Sequence, residues 1–279
     1  MACAQAGQVD HLDSPSVSLR TYTGPAPSHR PGAVATGFVW LLAAAVIALQ
    51  IAFPLVADSD RARLAVVTVV VFFSASVAHA LVYRGVMWTL GLVAITAGGG
   101  LLAEVVGTRS GFPFGDYAYG TALGWQLWGV PVVVPLAWTM MLYPTYVAVT
   151  TLTKKRWLAA LLGGLSMMAW DFFLDPMMVE LRAWTWAGDA PSIPGIDGIP
   201  AVNFAGWFAV GAVLMAVMLL LPDRKAPIGQ PAVLYLWVFA SSTVGAAAFF
   251  ERPTVALIGG VTMGLVAVPF AVTAWANRQ

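Results

Sequence analysis

Of the 279 residues, 59% are hydrophobic and 10% charged, against about 25% charged in soluble domains. So few charges cannot cover a water-facing surface, and a mean hydropathy of +0.80 fits a chain solvated mostly by lipid. A net charge of +1 offers no basic field for nucleic acid, and the one cysteine, Cys3, excludes a disulfide framework or a cysteine metal site.

Residues 1–32 are polar and rich in Pro, Ser and Gly. Such a segment cannot bury enough apolar area to offset its ordering entropy, and it lacks the apolar run of a signal peptide. A disordered tail is expected, followed by an integral-membrane helical domain over 33–279.

Apolar runs of spanning length, about 20 residues each, occupy 33–57, 64–83, 86–106, 129–153, 157–178, 203–221, 231–250 and 254–275. They predict an all-α polytopic membrane helical bundle. The break at Arg84-Gly85 decides between eight spans and seven, because a re-entrant 64–83 segment would remove one.

Loop cations set the orientation. With the N-terminus cytoplasmic, the inner side holds Arg20, Arg30, Arg84, Lys154, Lys155, Arg156, Arg224, Lys225 and Arg278, and the outer side Arg61, Arg63, Arg109, Arg182 and Arg252. Nine against five predicts both termini inside, as in a multi-pass protein of the cell membrane. The two long connections, about 107–128 and 179–202, then both face outward. They are dense in aromatic residues, Gly and Pro, so they read either as an interfacial aromatic belt or as caps on an apolar cavity.

An internal echo favours the caps. Gly129-Val130-Pro131 precedes Trp138, and Gly198-Ile199-Pro200 precedes Trp207, each tryptophan nine residues after its glycine. The shift between the two copies is 69 residues, which carries Glu104 between Asp171 and Asp175. Helices 3–4 and 5–6 therefore read as a parallel duplication about an axis along the membrane normal.

Acids inside spans are costly and mark function by default. Asp171 and Asp175, four residues apart, share one face of the fifth helix. From helix starts at Trp157 and Val86, Asp171 lies about 21 Å along a hydrocarbon layer of roughly 30 Å, and Asp175 and Glu104 about 27 Å. The three carboxyls thus gather toward the outer leaflet. The bland alternative is a structural hydrogen bond or a pair with Arg109 or Arg182. Asn203 reads first as a helix N-cap and second as a group that places water in the site. His79 reads as a structural histidine near the inner end of the second helix. Eight of the twelve tryptophans fall within 125–207, and seven of them (Trp125, Trp128, Trp138, Trp170, Trp184, Trp186 and Trp207) are candidates for helix packing, a polyene pocket, or a cation. With no P-loop, no H-E-x-x-H and three histidines, no metal site is expected.

The strings Gly111-Phe112-Pro113-Phe114-Gly115-Asp116-Tyr117-x-Tyr119, Trp170-Asp171-x-x-x-Asp175-Pro176, Trp184-x-Trp186 and Gly198-Ile199-Pro200-x-x-Asn203-Phe204-x-Gly206-Trp207, with Gly129-Val130-Pro131 and Trp138 between them, resemble the integral-membrane carotenoid biosynthesis proteins. That group includes the bisanhydrobacterioruberin and γ-carotene 1′-hydratases. The specific match covers about 100–210, within a compatible helix pattern over 33–279. The resemblance implies addition of water across the terminal C1′=C2′ bond of an acyclic carotenoid end, without a cofactor. The partners implied are a carotenoid or another long isoprenoid lipid, membrane lipids, and other carotenoid biosynthesis enzymes. The residue roles rest on chemistry. Asp171, the deepest carboxyl, is the candidate acid, and Asp175 or Glu104 orients the water and takes its proton. Trp138, Trp170 and Trp207 shield the cation, and Asn203, Tyr117, Tyr119, Phe114, Arg109, Trp184 and Trp186 complete the substrate contacts. Two alternatives stay open: a membrane prenyltransferase-like enzyme using Asp171-x-x-x-Asp175 as half of a Mg²⁺–diphosphate site, and a non-catalytic carotenoid or lipid carrier.

Overall fold

Apolar runs bounded by Gly, Pro and charge form eight helices long and apolar enough to cross a membrane. In the computed structural model, which describes residues 31–188 and 190–276, they are α1 (Ala33–Leu55), α2 (Asp58–Arg84), α3 (Val86–Ser110), α4 (Val133–Leu152), α5 (Arg156–Glu180), α6 (Ala201–Met218), α7 (Gly229–Ala248) and α8 (Pro253–Ala276). Residues 1–30 of the expected tail, with Cys3, His11, His29, Arg20 and Arg30, lie outside the described residues, as does Arg278.

The 64–83 run is not re-entrant: α2 is a continuous helix of 27 residues. It stops at Gly85, whose φ of 85° suits a residue without a β-carbon and whose N–H bonds the Ala80 carbonyl at 3.1 Å. The chain reverses there in one residue, so two spans meet without a loop.

Burial sorts the helices. α4 is 83% buried with a mean hydropathy of 1.3, whereas α1 is 17% buried with 2.3. The helix least suited to lipid is therefore central, and the most apolar one lies at the periphery. Polar groups tie the centre together: Thr96, in a widened π turn of α3, meets Thr139 of α4 at 2.7 Å, and Ser166 of α5 meets Tyr235 of α7 at 2.8 Å. α5 and α6 approach closely because Gly164 faces α6, where a β-carbon would stand 2.8 Å from that of Ala212.

The two long connections contain short strands that helical periodicity did not anticipate: β1 (Tyr117–Tyr119), β2 (Gln126–Leu127), β3 (Val130–Pro131), β4 (Trp184–Trp186), β5 (Ser192–Ile193) and β6 (Ile196–Pro200). β2–β3 and β5–β6 are hairpins, while β1 pairs antiparallel with β4 in the register Tyr117↔Trp186, Ala118↔Thr185 and Tyr119↔Trp184. Each half of the echo is thus helix, aromatic strand, hairpin, helix, and the two equivalent strands join the halves.

At the opposite end Arg84 is buried rather than solvated. Its Nη1 donates to the Arg224 carbonyl at 2.6 Å, and its guanidinium lies 4.7 Å from the Trp88 ring and 5.2 Å from that of Tyr146. His79 is packed beside it, Nδ1 meeting the Tyr143 hydroxyl at 2.7 Å.

Candidate active site

Alternation along a strand sends residues i and i+2 to one face. Tyr117 and Tyr119 of β1, and Trp184 and Trp186 of β4, therefore point together from the loop layer toward the helix ends. There they meet carboxyls. Tyr117 and Tyr119 donate to Oε2 of Glu104 at 2.6 and 2.8 Å, and Trp138 of α4 donates to Oε1 at 3.1 Å. Trp184 and Trp186 donate to Oδ1 of Asp175 at 2.7 and 3.1 Å, and Asn203 of α6 donates to Oδ2 at 2.7 Å. In each half one aromatic strand and one following helix clasp one acid. A carboxylate has about four acceptor positions, so each of these acids keeps one.

Asp171 differs. It is fully buried one turn deeper on α5, its Oδ2 accepts from Asn203 at 2.7 Å, and its Oδ1 has no partner. One amide therefore bridges two carboxyls. Asn203 is not an N-cap, because Pro200 occupies that position, and the side chain turns inward instead. The acids pair with Tyr, Trp and Asn rather than with cations. Cations pair elsewhere, Arg61 with Asp58 and Arg252 with Glu180. Burial first, and the Glu104 charge second, push the Tyr117 and Tyr119 hydroxyls well above the usual phenol range, so both remain donors.

These groups border a cavity of about 250 Å³ with a largely apolar wall. Of the thirteen sequence-selected site residues, Glu104, Phe114, Tyr117, Tyr119, Trp170, Asp175, Trp184, Trp186, Asn203 and Trp207 line it. Three do not. Asp171 stands behind Asp175 and Asn203, because its helical position turns it toward α6 rather than toward the cavity. Trp138 stacks on the far side of Trp207, with ring centroids 4.3 Å apart and planes 12° apart. Arg109 is exposed at the end of α3, one turn past Glu104 and away from the cavity wall. Trp125 and Trp128, 77% and 66% exposed, also stay outside the cluster. Trp207 is the central ring, held between Trp138 and the edge of Trp170 at 5.8 Å.

The sequence reading overlooked the far wall, which comes from α1, α2 and α7: Gln50, Phe53, Thr68, Phe72, Ser241 and Ser242, with Arg252 beyond α7. Gln50 was a readable signal, a lone amide within an apolar span.

A model of the carotenoid biosynthesis protein family matches residues 64–266. Bisanhydrobacterioruberin hydratase of Haloarcula japonica is 33% identical over 115 residues, which are 39% of this chain and 38% of that protein. The alignment thus spans well under half of that relative's length. No solved structure matches the chain.

Proposed function

The chain belongs to the carotenoid biosynthesis protein family, and from that premise we propose that it is a hydratase adding water across the terminal C1′=C2′ bond of an acyclic carotenoid. The observation that carries this reading is two carboxyls, Glu104 and Asp175, presented into an apolar cavity walled by aromatic rings. The name of the Haloarcula japonica relative points the same way.

The Asp171–Asp175 pair supplies the proton. Bridged by one amide, the two carboxyls stand too close to ionise together, so the pair retains one proton, and Asp175 is the member facing the cavity. The π electrons of the double bond take the proton at C2′ and leave a tertiary cation at C1′. Trp207 and Trp170 border that position, and ring faces attract cations. A water oxygen then bonds to C1′, and Glu104 takes the released proton on its remaining acceptor position. The sum is one water added, with no electrons exchanged and no group lost. Positioned acids and bases of this kind contribute about 10²- to 10⁴-fold.

The catalytic machinery falls within 33–279, which we read as the membrane domain, with the loop layer outside and both termini in the cytoplasm. A Mg²⁺–diphosphate role for the aspartates is less well supported, because the oxygens of Asp175 already face Trp and Asn donors that a cation would have to displace. Expression in a host that accumulates acyclic carotenoids tests the proposal. Pigment gaining the mass of one water per reacted end is expected, and unchanged pigment would refute it for those substrates.

A further inference from the structure

The part of the cavity wall built by α1, α7 and the segment after α7 is polar in a specific way. Oε1 of Gln50 is buried without a hydrogen-bond partner, and so is Nη1 of Arg252, whose Nη2 is held by Glu180 at 2.5 Å. Hydroxyls in these spans ordinarily bond the carbonyl four residues back, as Thr68, Ser74, Ser166 and Thr243 do. Ser241 and Ser242, which both line the cavity, make no such bond. These groups share one level. Trp40 of α1 packs against Gly229 of α7. From that contact Gln50 lies about 15 Å along α1, and Ser241 and Ser242 about 18–20 Å along the parallel α7. Phe53, one turn after Gln50, meets Phe250 with centroids 6.1 Å apart, which brings the segment bearing Arg252 to the same place.

We propose that this end of the cavity is a second subsite, one that binds the neutral hydroxyl group of a long apolar molecule. The inference rests on the isoprenoid reading of the cavity and deepens it: the preferred ligand carries an alcohol at a distance from the bond that reacts at the carboxyl end. An alcohol oxygen both donates and accepts, so it can donate to Gln50 and accept from Arg252 or a serine. A charged headgroup fits less well, because Glu180 already neutralises Arg252. Phe53, Val66, Val69 and Phe72 line the cavity as well, and suit a hydrocarbon chain.

The test measures binding by tryptophan fluorescence with the full chain in nanodiscs, carrying Asp175→Asn so that lycopene is not hydrated during the measurement. One ligand pair is lycopene and its monohydroxylated acyclic derivative; the other is geranylgeraniol and phytane. One hydrogen bond to a buried group corresponds to about a tenfold change in affinity, so the alcohol of each pair should bind about tenfold tighter. Gln50→Leu and Ser242→Ala should each bring that ratio close to one. Equal affinities within both pairs when Gln50 and Ser242 are intact, or a ratio that survives both substitutions, would overturn the subsite. Geranylgeraniol selectivity without binding of either carotenoid would instead refute the carotenoid reading and leave the subsite standing.

Discussion

Asn203→Leu removes the amide on which both aspartates depend. Its Nδ2 donates to Oδ2 of Asp171 and to Oδ2 of Asp175, each at 2.7 Å, and Asn203 and Asp171 are almost wholly buried. A hydrogen bond contributes about 0.5–1.5 kcal/mol to a neutral group and about 1.5–3 kcal/mol to a charged one, so losing one of each from a singly protonated pair costs about 2–4.5 kcal/mol. The aspartates are not affected equally. Asp175 keeps Trp184 and Trp186, whereas Asp171 is left with no side-chain partner among the described residues. Denaturant unfolding of the purified protein in micelles, followed by tryptophan fluorescence, would show a correspondingly earlier transition. The double variant with Asp171→Leu should recover part of the loss, because the buried carboxyl that lost its partner is gone as well. Hydration measured by pigment mass should fall at least a hundredfold in Asn203→Leu. A single variant within about 1 kcal/mol of the wild type, with an undiminished rate, would refute the bridging role.

Further expectations concern the carboxyls and the packing that holds them. Asp175→Asn should lower hydration by about 10²- to 10⁴-fold while pigment binding persists, which separates a role in chemistry from one in docking. Gly164→Val should destabilise the protein by about 1–3 kcal/mol through overpacking, because its side chain would enter the α5–α6 contact at Ala212; melting temperature reports it. Dialysis against a chelator should leave the rate unchanged, since the cavity-facing carboxyl oxygens accept from Tyr, Trp and Asn donors. A rate restored only by Mg²⁺ would favour the diphosphate reading.

Hydropathy and length identified all eight spans, and the scarcity of charge singled out Glu104, Asp171 and Asp175, because lipid makes every intramembrane acid conspicuous. The 69-residue echo marked Trp138 and Trp207 at matching positions, and they stack on each other, although only Trp207 lines the cavity. Periodicity along one chain could not show that β1 would pair with β4, since that ladder joins segments about 67 residues apart and depends on how the two helix pairs dock. It also could not tell which faces of neighbouring helices meet. Tertiary packing turned Asp171 and Trp138 behind the cavity wall, left Arg109 outside it, drew Asn203 from a capping position into the bridge, and brought in Gln50 and two serines from distant helices. Composition determined that this chain lives in lipid and which residues lipid makes costly, whereas the packing of one helix against another decided which of those residues share a cavity.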